Sequence, residues 1–178
     1  MIVFETERLL VRYLRADDFE SFYALCSDPE VMRYMGDGEP LTAEQTRDWI
    51  DISKNNYQMR GYGCFAIVSR QDQQMIGFGG LARPARNPYL EIIYAFKKSC
   101  WGQGLASEFV KGLLKACFEL WHLPRVEATI DPRNQASVKV VEKAGLRFVR
   151  SGPDEDGEII LWYAMDQPAS LLLEGESL

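Results

Sequence analysis

The stretch Trp101-Gly102-Gln103-Gly104-Leu105-Ala106-Ser107-Glu108 constrains this chain most, because it joins two different hydrophobic periods. Ahead of it, Tyr89-Leu90-Glu91-Ile92-Ile93-Tyr94-Ala95-Phe96 reads as a strand. Behind it, Leu105, Phe109, Val110, Leu113, Leu114, Cys117, Phe118 and Trp121 recur at three- and four-residue steps, the pattern of an amphipathic helix. Two glycines therefore stand where a strand turns into a helix. The first N–H groups of a helix have no acceptor inside it, and the helix dipole is positive at that end. Glycines allow phosphate oxygens to approach such groups closely. The stretch reads as an anion cradle, best suited to a pyrophosphate, although a tight turn with no ligand would also use Gly-x-Gly. No Gly-Lys-Ser/Thr follows, which excludes a P-loop. The third glycine of the dinucleotide fingerprint is absent as well.

The rest of the chain supplies a sheet for that joint. Arg8 to Tyr13 alternates as a first strand. Asp17 and Asp18, read as cap and first-turn acids, open a helix through Phe19, Phe22, Leu25 and Cys26. Asp28-Pro29 ends it, and a short helical turn is expected over Val31 to Met35. Thr42 and Gln45 form a capping box for a helix carrying Trp49, Ile50 and Ile52. Gly63 to Ser69 and Met75 to Leu81 make a hairpin, and Arg125 to Ile130 a further strand. A helix with Ala136, Val140, Val141 and Ala144 closes at Gly145. Leu146 to Arg150 and Ile159 to Met165 are the final strands, around the acidic turn Gly152 to Gly157. The order is that of one α+β domain with a mixed central sheet over residues 1–166, followed by a frayed tail from Gln167 to Leu178.

Bulk properties remove several classes of function. A net charge of −6 argues against a broad nucleic-acid surface. Four cysteines without paired spacing and one histidine argue against a metal centre and fit reduced thiols in a cytoplasmic protein. No apolar run is long enough to span a bilayer, and Met1 to Arg8 lacks the layout of a signal peptide.

Four stretches together resemble the GNAT N-acetyltransferases, and within them the ribosomal-protein N-terminal acetyltransferase branch. They are Thr6-Glu7-Arg8-Leu9-Leu10-Val11-Arg12, Asp28-Pro29-Glu30-Val31-Met32, the run from Glu91 through Glu108, and Asn134-Gln135-Ala136-Ser137 continuing to Leu146. The likeness spans residues 4 to 165. It implies acetyl-CoA as cosubstrate and no metal. It also implies that the coenzyme pyrophosphate sits on the amides of Gly102, Gln103, Gly104, Leu105, Ala106 and Ser107. The pantetheine arm is implied to pair with the backbone of Tyr94, Ala95 and Phe96 as an added strand would. Asn134 resembles the asparagine that bonds this arm, while its plain reading is a helix N-cap. Three positions depart from the wider pattern. Trp101 stands where Gln or Arg is common, Ile93 replaces a glycine, and Val141 occupies the place of the tyrosine that serves as acid.

Moving an acetyl group to an amine requires a base, donors for the developing oxyanion, and a proton for the leaving thiolate. Glu91, an acid in an apolar run, is the candidate base; partial burial would raise its pKa. The alternative is a solvated acid at the sheet edge. Ser137, one helical step after Asn134, is the candidate proton donor to sulfur, its alternative being a capping or surface serine. A backbone N–H near Tyr94 is the expected oxyanion donor, and Tyr163 is the reserve acid. Direct attack is expected over a covalent enzyme intermediate, because Cys100 has no histidine placed to activate it, and His122 reads as structural or solvated. The expected acceptor is a protein N-terminal α-amine or a small amine. The competing reading, motivated by Ile93 and Val141, is a coenzyme A-binding regulatory domain without turnover. No membrane or nucleic-acid partner is expected, and the expected state is a monomer or a homodimer.

Overall fold

A computed structural model describes residues 1–84, 87–154 and 157–169. The tail from residue 170 onward, and Glu155 and Asp156 of the acidic turn, lie outside the described residues. The eight strands are β1 (Ile2–Glu5), β2 (Leu9–Tyr13), β3 (Cys64–Ser69), β4 (Met75–Ala82), β5 (Leu90–Phe96), β6 (Arg125–Ile130), β7 (Arg147–Pro153) and β8 (Ile159–Asp166). They form one sheet in the order β1-β2-β3-β4-β5-β6-β8-β7. Every neighbouring pair is antiparallel except β5 and β6, which run parallel. The helices are α1 (Phe19–Cys26), α2 (Pro29–Met32), α3 (Ala43–Arg60), α4 (Leu105–Lys115) and α5 (Gln135–Ala144). The mixed α+β architecture matches the expectation from sequence.

The middle strands are apolar on both faces, and alternation sorts their side chains into two cores. Phe65, Ile67, Ile92, Phe96 and Val126 pack with Phe109 and Leu113 of α4 and Val141 of α5. Ala66, Phe78 and Ala95 face the other way, onto Phe22 and Leu25 of α1 and Ile50 of α3. Consecutive residues of β5 therefore address different compartments: Leu90, Ile92, Tyr94 and Phe96 the α4–α5 side, Ile93 and Ala95 the α1–α3 side.

The capping box of α3 forms as expected, with Thr42 Oγ1 accepting from Gln45 N at 3.2 Å and Gln45 Oε1 accepting from Thr42 N at 2.8 Å. Its inward face is Thr46, Ile50, Ser53 and Tyr57. Ile52, expected beside Ile50, is instead 54% exposed, since two residues along a helix is about 200° around it. In α5, Val138 and Val141 are buried while Ala136 is exposed, a one-step rotation of the expected face.

Three further expectations change. Strand β1 was not anticipated; it is four residues long and turns through Thr6, whose N–H meets Leu9 O at 2.9 Å, before pairing with β2. The short turn expected over Val31 to Met35 starts earlier, at Pro29, because Asp28 caps it by accepting from Glu30 N at 2.9 Å. Asp18 is more than a first-turn acid. It is buried, accepts from Arg15 N at 2.8 Å, and meets both terminal nitrogens of Arg12 at 2.7 Å.

Candidate active site

The joint after β5 has the geometry of an anion site. Gly102 and Gly104 both adopt left-handed backbone, φ +75° and +78°, which a residue with a side chain enters only with strain. The helix returns its first backbone bond at Glu108, whose N–H reaches Gly104 O at 3.1 Å. Among the described residues, the N–H groups of Gly102, Gln103, Gly104, Leu105, Ala106 and Ser107 have no acceptor before that bond. The space ahead of Gly102 is open: a Cβ built there would meet nothing within 4 Å. The loop's own side chains turn away, Trp101 Nε1 donating to Phe96 O at 2.8 Å and Gln103 Nε2 to Ser99 O at 2.7 Å.

Arg8 braces this loop. Its guanidinium donates to Gln103 O at 2.9 Å and to Glu108 Oε2 at 2.7 Å, while Glu108 Oε1 accepts from Arg8 N and from Thr6 Oγ1. Burial works against the Glu108 charge, but the bonds from Thr6 and Arg8 outweigh it and lower its pKa. Sequence reasoning singled out both stretches without seeing that they touch. The signal was there in a cation and an acid, each in one of them.

The joint leads back to a gap in the sheet. β5 and β6 pair only at Leu90–Val126 and Glu91–Glu127, then separate. β5 stays bonded to β4 along its length and β6 to β8. Tyr94, Ala95 and Phe96 thus border the parted side of the sheet, with the cradle at the open end and Glu91 at the closed end.

Glu91 and Ser137 come to the two sides of this gap. Glu91 shares the α1–α3 side with Ile93 and Ala95; it is half-buried and accepts from Thr129 Oγ1 at 2.9 Å. Burial raises its pKa, helped by the neighbouring Glu127 charge, and the bonds from Thr129 and Asn87 only partly oppose this. Glu127 itself is paired with Arg125 Nε at 2.7 Å and accepts from Asn87 Nδ2 at 2.8 Å. Glu91 is therefore not a solvated edge acid. On the opposite side, the Tyr94 phenol donates to Ser137 Oγ at 3.0 Å, and burial pushes the phenol's pKa up to about 12. Asn134 is an N-cap, its Oδ1 accepting from Ser137 N at 3.1 Å, which leaves its amide nitrogen to donate. Val141 is fully buried in the core, and Tyr163 donates to Glu142 at 3.1 Å. The Tyr94 side chain was not anticipated, because only its backbone was considered.

A cavity of about 280 Å³ lies on the α3 side, lined by Leu90 and Ile93, which flank Glu91 in β5, while Glu91 itself is not among its lining residues. Its floor is set by register: Ala82 pairs with Glu91 and Gly80 with Ile93, and both Ala82 and Ile93 line the cavity. Gly80 is bare for a reason of packing, since a Cβ there would lie 1.9 Å from Gly63 O.

This arrangement can be set against known proteins. The family model described as an acetyltransferase (GNAT) domain matches residues 8–147. The chain belongs to the GNAT acetyltransferase family. A curated relative, the uncharacterized N-acetyltransferase p20 of Bacillus licheniformis, is 32% identical over 155 residues, covering 86% of this chain and 85% of the relative. Among solved structures, the ribosomal alpha-N-protein acetyltransferase RimL, in complex with coenzyme A, superposes with a TM-score of 0.80 at 19% identity, covering 94% of this chain and 98% of RimL. Spermidine N-acetyltransferase from Vibrio cholerae, in complex with CoA and spermine, does so with a TM-score of 0.77 at 17% identity, covering 94% and 99%. At that identity these two establish a shared GNAT fold. This GNAT enzyme is an acetyltransferase with acetyl-CoA as donor. Its unpaired amides at Gly102 to Ser107, beside open space, suit a pyrophosphate.

Proposed function

We propose that this GNAT enzyme acetylates a primary amine by direct attack on the thioester, with Glu91 as base and Ser137 as proton donor to the thiolate. The observation that carries the proposal is the pair of groups flanking the parted strands. A carboxylate of raised pKa lies on one side and a bonded phenol–serine pair on the other. Acetyl-CoA supplies an acetyl group activated as a thioester. In this reading the amides of Gly102, Gln103, Gly104, Leu105, Ala106 and Ser107 hold its pyrophosphate. The edge at Tyr94, Ala95 and Phe96 and the Asn134 amide align its arm.

Glu91 takes a proton from the amine, directly or through a water. The amine nitrogen forms the new C–N bond as the C–S bond breaks, and a backbone N–H near Tyr94 stabilises charge on the carbonyl oxygen. Ser137 gives its hydroxyl proton to sulfur while accepting a hydrogen bond from the Tyr94 phenol, and regains a proton from solvent once the thiol has formed. A cysteine relay is disfavoured: Cys100 and His122 stand at opposite ends of the helical segment 105–120, which spans roughly 24 Å at 1.5 Å per residue. The acceptor amine, of a protein N-terminus or of a small molecule, enters from the α3 side. The test is thiol release from acetyl-CoA with a panel of N-terminal peptides and small amines. Turnover that is lost in Glu91→Gln at unchanged coenzyme affinity supports the reading. Coenzyme binding with no turnover of any amine would refute it.

A further inference from the structure

The cavity at Leu90 and Ile93 differs in charge from the rest of the molecule. The chain carries a net −6, yet the cavity is lined by Arg60 and Arg83 and by no acidic side chain. Neither guanidinium has a carboxylate partner among the described residues; the Arg60 side chain has no hydrogen bond or ion pair among them, and Arg83 reaches only Pro88 O, at 3.5 Å. Arg8, Arg12, Arg125 and Arg133 are paired with Glu108, Asp18, Glu127 and Asp131, whereas Arg33, Arg47 and Arg150 lie over aromatic rings; what sets Arg60 and Arg83 apart is that both line one cavity. Two planar cations with open donors, mounted at the end of α3 and the end of β4, suit a carboxylate arriving from outside. Trp49 and Ile52 provide apolar wall, and Asn56 a neutral polar group.

We infer that the acceptor is a small amine that also carries a carboxylate, of the amino-acid class, bound with its acid at Arg60 and Arg83 and its amine toward Glu91. The inference rests on the acetyltransferase reading above and names its substrate class. Three features of the cavity support it. Its volume of about 280 Å³ sits at the small end for ligand sites, which suits a metabolite rather than a long chain. A polyamine would bring its remaining ammonium groups against two guanidinium ions that have no carboxylate partner, with no acid in the lining to receive them. An amino acid presents one charge of each sign, its acid for the arginines and its amine for Glu91, whose strand neighbours Leu90 and Ile93 line the cavity. The arginines also favour the neutral form of a nearby amine, which is the nucleophilic form.

The test compares matched acceptors in the thiol-release assay: an α-amino acid, its amide and its decarboxylated amine, alongside spermidine and an acidic N-terminal peptide. The acid-bearing member is expected to exceed its two neutral partners by about 10- to 100-fold in kcat/KM, chiefly through KM, as for a hydrogen bond to a charged group. Arg60→Gln and Arg83→Gln should each shrink that ratio, and Arg60→Lys should restore part of it. Both arginines are exposed, so thermal melts should coincide with the parent's. Preference for spermidine, for the neutral partners or for the peptide overturns the inference, as does a ratio that both variants leave intact. Failure of every acid-bearing amine overturns it too. In each of those cases, turnover of any other amine leaves the transferase reading standing.

Discussion

Glu91 is worked on from two directions: burial and the adjacent Glu127 penalise its charge, while Thr129 and Asn87 sustain it. A carboxylate whose pKa is raised in the folded state costs stability once ionised. Its proton is held more tightly in the folded chain, so stability falls as pH rises from the unfolded pKa through the folded one. Glu91→Gln keeps an acceptor for Thr129 and removes the charge. It should therefore raise the melting temperature near neutral pH while lowering kcat by about 10²- to 10⁴-fold, a combination that a differential scan and an initial-rate assay test together. Its pH–rate profile should lose the limb on which activity rises with deprotonation; a profile of unchanged shape would exclude Glu91 as base. Ser137→Ala tests the other side of the gap. It leaves a buried phenol without its acceptor, so a loss of about 1–3 kcal/mol in stability is expected along with slower chemistry. Tyr94→Phe should separate the two effects, since it removes the phenol and keeps the serine; denaturant melts and kcat on both variants read the difference.

At the level of elements, the cradle makes the sharpest prediction. Gly104 has φ +78°, and a side chain there would have only the Arg8 guanidinium nearby, 3.7 Å from its Cβ. Gly104→Ala should thus fold at a cost of about 1–2 kcal/mol from left-handed backbone. Gly104→Asp adds an anion where phosphate is proposed to sit, and it competes for Arg8. Coenzyme affinity by calorimetry should fall by at least about 10²-fold, equivalent to roughly 3 kcal/mol; unchanged affinity would rule out the cradle. The joint was readable in the sequence because two periods meet there, and the α3 cap because Thr42 and Gln45 are three residues apart. Strand β1 was not readable: four residues are too few for a period, and its pairing with β2 depends on the turn at Thr6. The pairs Arg8–Glu108 and Tyr94–Ser137, separated by 100 and 43 residues, are products of sheet order, which local pattern does not encode.

Across the whole molecule, Asp18 and Glu108 respond to acid oppositely to Glu91. Asp18 is penalised by burial, but bonds from Arg12 and Arg15 lower its pKa overall, and Glu108 is lowered in the same way by Thr6 and Arg8. Such groups stabilise the fold above their unfolded pKa, and that contribution is lost as pH falls through the still lower folded values. Acid unfolding should therefore weaken in Asp18→Asn, which would be less stable than the parent at neutral pH and closer to it at acidic pH; denaturant melts across pH show whether the curves converge. The α+β class was legible from the order of elements, and so was the joint where the candidate site is proposed. The sidedness of the site was not, because it requires knowing where β5 leaves β6. That parting has a consequence for proton traffic. With Glu91 bonded to Thr129 and Ser137 bonded to Tyr94 from α5, strand β5 stands between acceptor and donor of protons. In the proposed reaction, the proton removed from the amine is then never the one delivered to sulfur. Each side must exchange with its own body of solvent between turnovers, so sealing either face would stop the cycle after a single round.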